Sequence, residues 1–143
     1  MNFLTQFFKA LDFQSIQYCV LRNYEQLPIT TGNSDLDILI NKKDAKNFIN
    51  LISEFSAKQN GQIISIIASD ICPRICVLGS KGSGWGVMID LHYDEISYRG
   101  YTILSNKNVW KNTFKYNGQI AALNKIADGL VGLFKELLNN GTC

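Results

Sequence analysis

Two aspartates at alternate positions are the residues best placed to do chemistry. Asp35 and Asp37 open the apolar segment SDLDILI at 34–40, directly after a Gly-Asn turn. Alternate residues of a strand project from the same face, so the two carboxylates would lie side by side and repel each other. Asp is also disfavoured in strands. A hard divalent cation between the carboxylates, or a proton on one of them, would remove the repulsion. The first of these predicts a Mg²⁺ or Mn²⁺ site. The alternative is that Asp35 ends a turn and Asp37 lies on a solvated edge.

A third carboxylate lies on a second apolar segment. Asp90 interrupts VMIDL at 87–91, and His92 follows two residues later on the same predicted strand face. We expect Asp90 to join Asp35 and Asp37 on an adjacent strand. His92 would then contact substrate or metal, or else be a structural, hydrogen-bonded histidine.

The spacing of apolar residues predicts how these side chains are held. Periods near 3.6 predict helices, and alternation or short apolar runs predict strands. A polar turn region at 23–34 precedes the paired aspartates, and the Gly-rich segment at 81–84 is predicted to be a hairpin turn. The class is therefore α+β, with a mixed sheet of four to five strands and flanking helices. The helices are predicted at 2–13, 43–59 and 123–139, and the strands at 16–22, 35–40, 62–68, 74–78, 85–93 and 95–104.

Composition limits the functional classes. The 143 residues, 46% of them apolar, fit one domain over 1–143, either complete or the N-terminal part of a longer protein. With 14 basic and 12 acidic residues, nucleic acid is not favoured as a partner, whereas small anionic substrates are allowed. We find no apolar run of membrane-spanning length and no signal peptide, and we expect a cytoplasmic protein with reduced cysteines. Cys72 and Cys76 lack a second ligand pair, which argues against zinc. The oligomeric state stays open.

The segment around the paired aspartates resembles the carboxylate strand of the nucleotidyltransferase superfamily, the group named after polymerase β. VLRNYEQLP at 20–28, followed by SDLD, is also similar to a bacterial branch associated with surface-polysaccharide gene neighbourhoods. The resemblance covers residues 16 to about 100. It implies that Asp35, Asp37 and Asp90 are catalytic metal ligands. Asp35 and Asp37 would hold the metal that bridges a triphosphate, and Asp90 would help to hold a second metal and favour deprotonation of the acceptor hydroxyl.

One position departs from the family pattern. The family commonly has Gly-Ser at the end of the first strand, where it holds nucleotide phosphates, and this chain has Arg22-Asn23. Arg22 could offer phosphate a bidentate fork and Asn23 an amide. The alternative is that Arg22 pairs with a neighbouring carboxylate and leaves the pocket unreceptive. The remaining predicted substrate-binding residues are Ser34, His92 and Arg99, the last of which is equally well explained as a solvated turn cation.

Two functions follow from this pattern. The first is a metal-dependent nucleotidyltransferase that moves a nucleoside monophosphate from a nucleoside triphosphate to a small, sugar-related acceptor. The second is a non-catalytic, nucleotidyltransferase-like binding module of a larger assembly, which the loss of Gly-Ser favours. A third and weaker hypothesis is a transferase that modifies a protein or an RNA.

Overall fold

The computed structural model describes residues 2–69 and 72–140. Within them, none of the helices is both long and apolar enough to cross a membrane. Within the same residues, a 3₁₀ turn at Lys42–Asp44 precedes the second of four α-helices. The helices are α1 (Phe3–Phe13), α2 (Ala45–Lys58), α3 (Asn106–Lys111) and α4 (Lys125–Asn140). The strands are β1 (Tyr18–Val20), β2 (Leu36–Ile40), β3 (Gly61–Ile67), β4 (Arg74–Gly79), β5 (Gly86–Tyr93), β6 (Ile96–Tyr98), β7 (Tyr101–Leu104), β8 (Thr113–Tyr116) and β9 (Ile120–Leu123).

The main sheet has seven strands in the order β3-β4-β5-β2-β1-β9-β8. Strand β2 is parallel to β5 and antiparallel to β1, and β1 is parallel to β9, so the sheet is mixed. The predicted α+β class is thus confirmed, but four to five strands was too few. The sequence reading missed the hairpin β8–β9 and began the final helix at 123 instead of Lys125. The chain turns between these strands at Asn117 and Gly118, which both have positive φ.

Helices α1 and α2 cover one face of the sheet. Asn2 caps α1, because its side-chain oxygen accepts a hydrogen bond from the Thr5 amide at 2.9 Å. The apolar stripes of the two helices meet at Phe7 and Phe48, whose rings pack edge to face with centroids 5.3 Å apart. The main core lies between these helices and the inward side chains of the central strands, such as Ile38.

A second, smaller core lies on the opposite face of the sheet. Strand residues Cys19 and Leu39 pack there with Val109 of α3 and Val131 of α4. The hairpin β6–β7 contributes Ile96 to the same cluster. Because Leu39 belongs to this face, alternation along β2 places Asp37 on it as well. The carboxylates therefore lie on the side of the sheet that carries α4.

Candidate functional site

The two central parallel strands bring two of the aspartates side by side. In the register of β2 and β5, Asp37 is the direct partner of Asp90, and Leu39 is the partner of His92. Both strands have neighbours on each side, which makes this the interior of the sheet. The Asp37 side chain is only 6% exposed and that of Asp90 is 15% exposed. Two carboxylates at adjacent, shielded positions require nearby positive charge.

Arg22 supplies that charge to Asp37. It follows β1, and its Nε and Nη2 atoms donate to the two carboxylate oxygens at 2.7 and 3.1 Å. Burial acts to raise the pKa of Asp37, but the His92 ring and the Arg22 guanidinium outweigh burial and lower it. The same hydrogen bonds raise the pKa of Arg22. This arrangement is the second of the two alternatives for Arg22, in which it pairs with a neighbouring carboxylate.

Arg74 supplies the charge to Asp90, and the sequence analysis did not identify this residue. It opens β4, which is antiparallel to β5, and Arg74 is the register partner of Asp90. Its Nε and Nη2 donate to the Asp90 oxygens at 2.6 and 2.7 Å. Its Nη2 also lies 3.5 Å from Asp35 Oδ2, so it links the two carboxylates. The signal available in the sequence was a single positively charged residue in an otherwise apolar strand. It corresponds to the single carboxylate in the apolar strand β5.

His92 connects the carboxylates to a thiol. Its Nε2 atom lies 3.7 Å from Asp37 Oδ1 and 3.6 Å from Cys72 Sγ. Because both neighbours face the same ring nitrogen, the three residues do not have the geometry of a catalytic triad, in which acid and nucleophile use different nitrogens. Burial, with Asp90 and Asp37, raises the pKa of the Cys72 thiol to about 11, which keeps it protonated at neutral pH.

The remaining predicted substrate-binding residues have different locations. Asn23 is exposed beside Arg22 and has a positive φ of 55°, a conformation that Asn tolerates better than most residues. Ser34 is exposed directly before Asp35. Arg99 lies in the β6–β7 turn and donates to the carbonyl of Leu138 at 2.8 Å, so it binds the C-terminal end of α4.

Arg99 lies far from the carboxylates, because the two are near opposite ends of α4. Asp128, near the start of that helix, interacts electrostatically with Arg22 and Asp37. A rise of 1.5 Å per residue puts Leu138 about 15 Å further along the helix. Arg99 is placed to stabilise the helix end, where cations are favoured.

The donor set matches the chemistry of a hard cation, since carboxylate oxygens are the ligands that Mg²⁺ takes. As the side chains stand, however, no group of three or more His, Cys, Asp and Glu in residues 2–69 and 72–140 is arranged to hold a metal. Each arginine fork engages both oxygens of one carboxylate. Among these side chains the three carboxylates outnumber the two guanidiniums by one.

A cavity of about 350 Å³ lies elsewhere, beside α1. Its walls include Asn2, Thr30, Thr31 and Trp85, and the Trp85 ring stacks on Phe3 with centroids 5.4 Å apart. Because α1 covers the face of the sheet opposite Asp37 and Asp90, this cavity is separate from the carboxylate cluster.

Comparison of the chain with known protein families and with characterised proteins gives no match in either case.

Proposed function

We propose that this protein is a metal-dependent nucleotidyltransferase that transfers a nucleoside monophosphate from a nucleoside triphosphate to a small acceptor related to a sugar. The observation that carries the proposal is the pairing of Asp37 with Asp90 on adjacent parallel strands. Asp35 is joined to the same cluster through Arg74. This is the clustering of carboxylates on neighbouring strands that the resemblance to the superfamily implies.

The cluster suits Mg²⁺ or Mn²⁺ by the nature of its ligands. Asp35, Asp37 and Asp90 are the residues that would hold the ions. A divalent cation bound there would neutralise the triphosphate and stabilise the charge that develops during in-line displacement. The excess of carboxylates over guanidiniums supports this assignment, since shielded carboxylates repel a bare polyphosphate and attract a cation that accompanies it.

The residues of the chain would then have distinct roles in one balanced step. The acceptor hydroxyl oxygen forms a bond to the α-phosphorus, the bond to the bridging oxygen breaks, and pyrophosphate leaves. Asp90 accepts the hydroxyl proton. Asn23 and Ser34, which are exposed beside the arginine and the aspartates, would contact the substrate.

A second candidate is a non-catalytic binding module, and one specific observation favours it. Both shielded carboxylates already have a bidentate guanidinium partner, which satisfies their charge without any ligand. In that case the arginines would be permanent counter-ions, and the cluster would stabilise the centre of the sheet.

A nucleotide panel distinguishes the two functions. Wild-type protein is titrated calorimetrically with each nucleoside triphosphate, with Mg²⁺ and with EDTA. A transferase should bind at least one nucleotide only when Mg²⁺ is present, and Asp37→Asn combined with Asp90→Asn should abolish that binding. Lys58→Gln, which removes a cation paired with Glu54 on α2, is the matched control and should bind as wild type does. Absence of wild-type binding to every nucleotide would leave the non-catalytic module as the better account.

Product formation provides the second measurement. Incubation of the wild type with the bound nucleotide and a set of sugars and sugar phosphates should release pyrophosphate in an acceptor-dependent way. Binding without pyrophosphate release on any acceptor of the set would favour the module over the enzyme.

A further inference from the structure

The two ion pairs of the cluster are layered, with the carboxylates beneath and the guanidiniums above. The Arg22 and Arg74 side chains are 48% and 42% exposed, whereas those of Asp37 and Asp90 are 6% and 15% exposed. A ligand that approaches from solvent therefore meets the arginines first. It reaches Asp37 and Asp90 only if an arginine moves.

The two arginines are not held equally. Asp37, the more deeply shielded carboxylate, has Arg22 as its fork and His92 at 3.7 Å as an additional neighbour. Arg74 divides its guanidinium between Asp90 and the Asp35 carboxylate, which is 39% exposed. Asp90 is 15% exposed, against 6% for Asp37, so water can solvate the carboxylate left behind by Arg74 more readily than the one left behind by Arg22.

Arg74 also has the chemistry to bind a second partner. A guanidinium carries five N–H donors, and the fork to Asp90 uses only two of its nitrogens, Nε and Nη2. Its planar fork fits phosphate as well as carboxylate. Phosphate oxygens arriving with a cation would replace the negative charge that Arg74 gives up.

We propose that Arg74 exchanges partners during ligand binding. In the ligand-free protein it holds Asp90 and Asp35, and when a cation-accompanied nucleotide binds it moves to the phosphate oxygens and frees Asp90. Arg22 stays on Asp37 throughout. This inference rests on the proposed function, because it needs a phosphate ligand. Arg74 is thus a competitor for the carboxylates in the absence of nucleotide and a phosphate ligand in its presence.

The exchange predicts effects of opposite sign for one substitution. Arg74→Gln removes the competitor, so Mn²⁺ without nucleotide should bind about tenfold more tightly, as judged by the free Mn²⁺ signal in electron paramagnetic resonance. The same variant should bind Mg²⁺-nucleotide about tenfold more weakly, because a charge-assisted hydrogen bond to phosphate is lost. Arg74→Lys keeps a point charge and should recover nucleotide affinity only in part. Lys58→Gln should change neither affinity.

Three results would overturn the inference. If the wild type binds nucleotide but Arg74→Gln weakens both affinities, Arg74 only supports the folded site. If neither affinity changes, Arg74 takes no part in binding the metal or the nucleotide. If the wild type binds none of the nucleoside triphosphates with Mg²⁺, the proposed function is wrong. The partner exchange is then wrong as well, because no phosphate is present to bind Arg74. Circular dichroism checks that Arg74→Gln is folded, and Arg74→Lys provides the same comparison if it is not.

Discussion

The Arg22–Asp37 ion pair should couple more strongly than an exposed pair with a similar closest N–O distance in the same chain. Lys58 and Glu54 on α2 provide the comparison, because their N–O distance is 2.6 Å, against 2.7 Å for Arg22 and Asp37. The two pairs differ in the exposure of the carboxylate, which is 53% for Glu54 and 6% for Asp37. Arg22 also makes two hydrogen bonds where Lys58 makes one, so burial and the second hydrogen bond both favour stronger coupling at Asp37.

The expected coupling follows from that difference. An exposed i,i+4 pair contributes about 0.3–0.5 kcal/mol. Hydrogen bonds to a charged group contribute roughly 1.5–3 kcal/mol, and loss of one partner of a wholly buried pair costs about 3–5 kcal/mol. Arg22 is half exposed, so solvent screens its charge. The range for hydrogen bonds to a charged group therefore applies, and not the range for a wholly buried pair. We expect a coupling free energy of about 1.5–3 kcal/mol between Arg22 and Asp37.

A pair of double-mutant cycles measures this directly. The first combines Arg22→Met with Asp37→Ala, and the second combines Lys58→Met with Glu54→Ala. Each free energy of unfolding comes from urea denaturation in EDTA, with constant m-values as the check that the unfolded state is unchanged. A coupling at Arg22 and Asp37 no larger than that at Lys58 and Glu54 would refute the argument that the shielded carboxylate depends on its guanidinium.

Three further predictions concern single residues. Asp37→Asn should lower the stability of the metal-free protein, because it removes the acceptor of the Arg22 fork, and should abolish the thermal stabilisation by Mg²⁺, which we expect at about 2.7 kcal/mol for a hundredfold excess over Kd. Repulsion between the aspartates alone predicts a rise in metal-free stability instead, and that result would show that the fork contributes little. Since the folded-state pKa of Asp37 lies below its ordinary value of 3.8, the stabilisation it provides is present above that value and is lost as pH falls through the folded-state pKa. Urea unfolding of wild type and Asp37→Asn should therefore converge in acid, and a difference that persists at the lowest pH would contradict the assignment. Tyr24→Phe should leave the melting temperature unchanged or raise it, because the buried Tyr24 hydroxyl has no hydrogen-bond partner within the described residues; a marked fall would indicate a partner supplied by solvent.

Local sequence patterns were enough to predict several elements. The apolar periodicity predicted α1 and α2 to within about two residues at each end. Alternation in SDLDILI predicted strand β2, and the Gly-rich segment at 81–84 predicted the turn between β4 and β5. The same alternation predicted a divalent-cation site at Asp35 and Asp37, which stays a prediction. These features depend on neighbours in the sequence, so a single segment contains the information.

The partners of these residues depended on the tertiary structure. Arg74 and Asp90 are 16 residues apart, and they become neighbours only through the antiparallel pairing of β4 with β5. Arg22 meets Asp37, and Arg99 meets Leu138, through similarly non-local contacts. The sequence placed the carboxylates on one strand face, but strand order and register decided which cations reach them. Register is set by the packing of whole strands against the helices, and no local pattern within one strand specifies it.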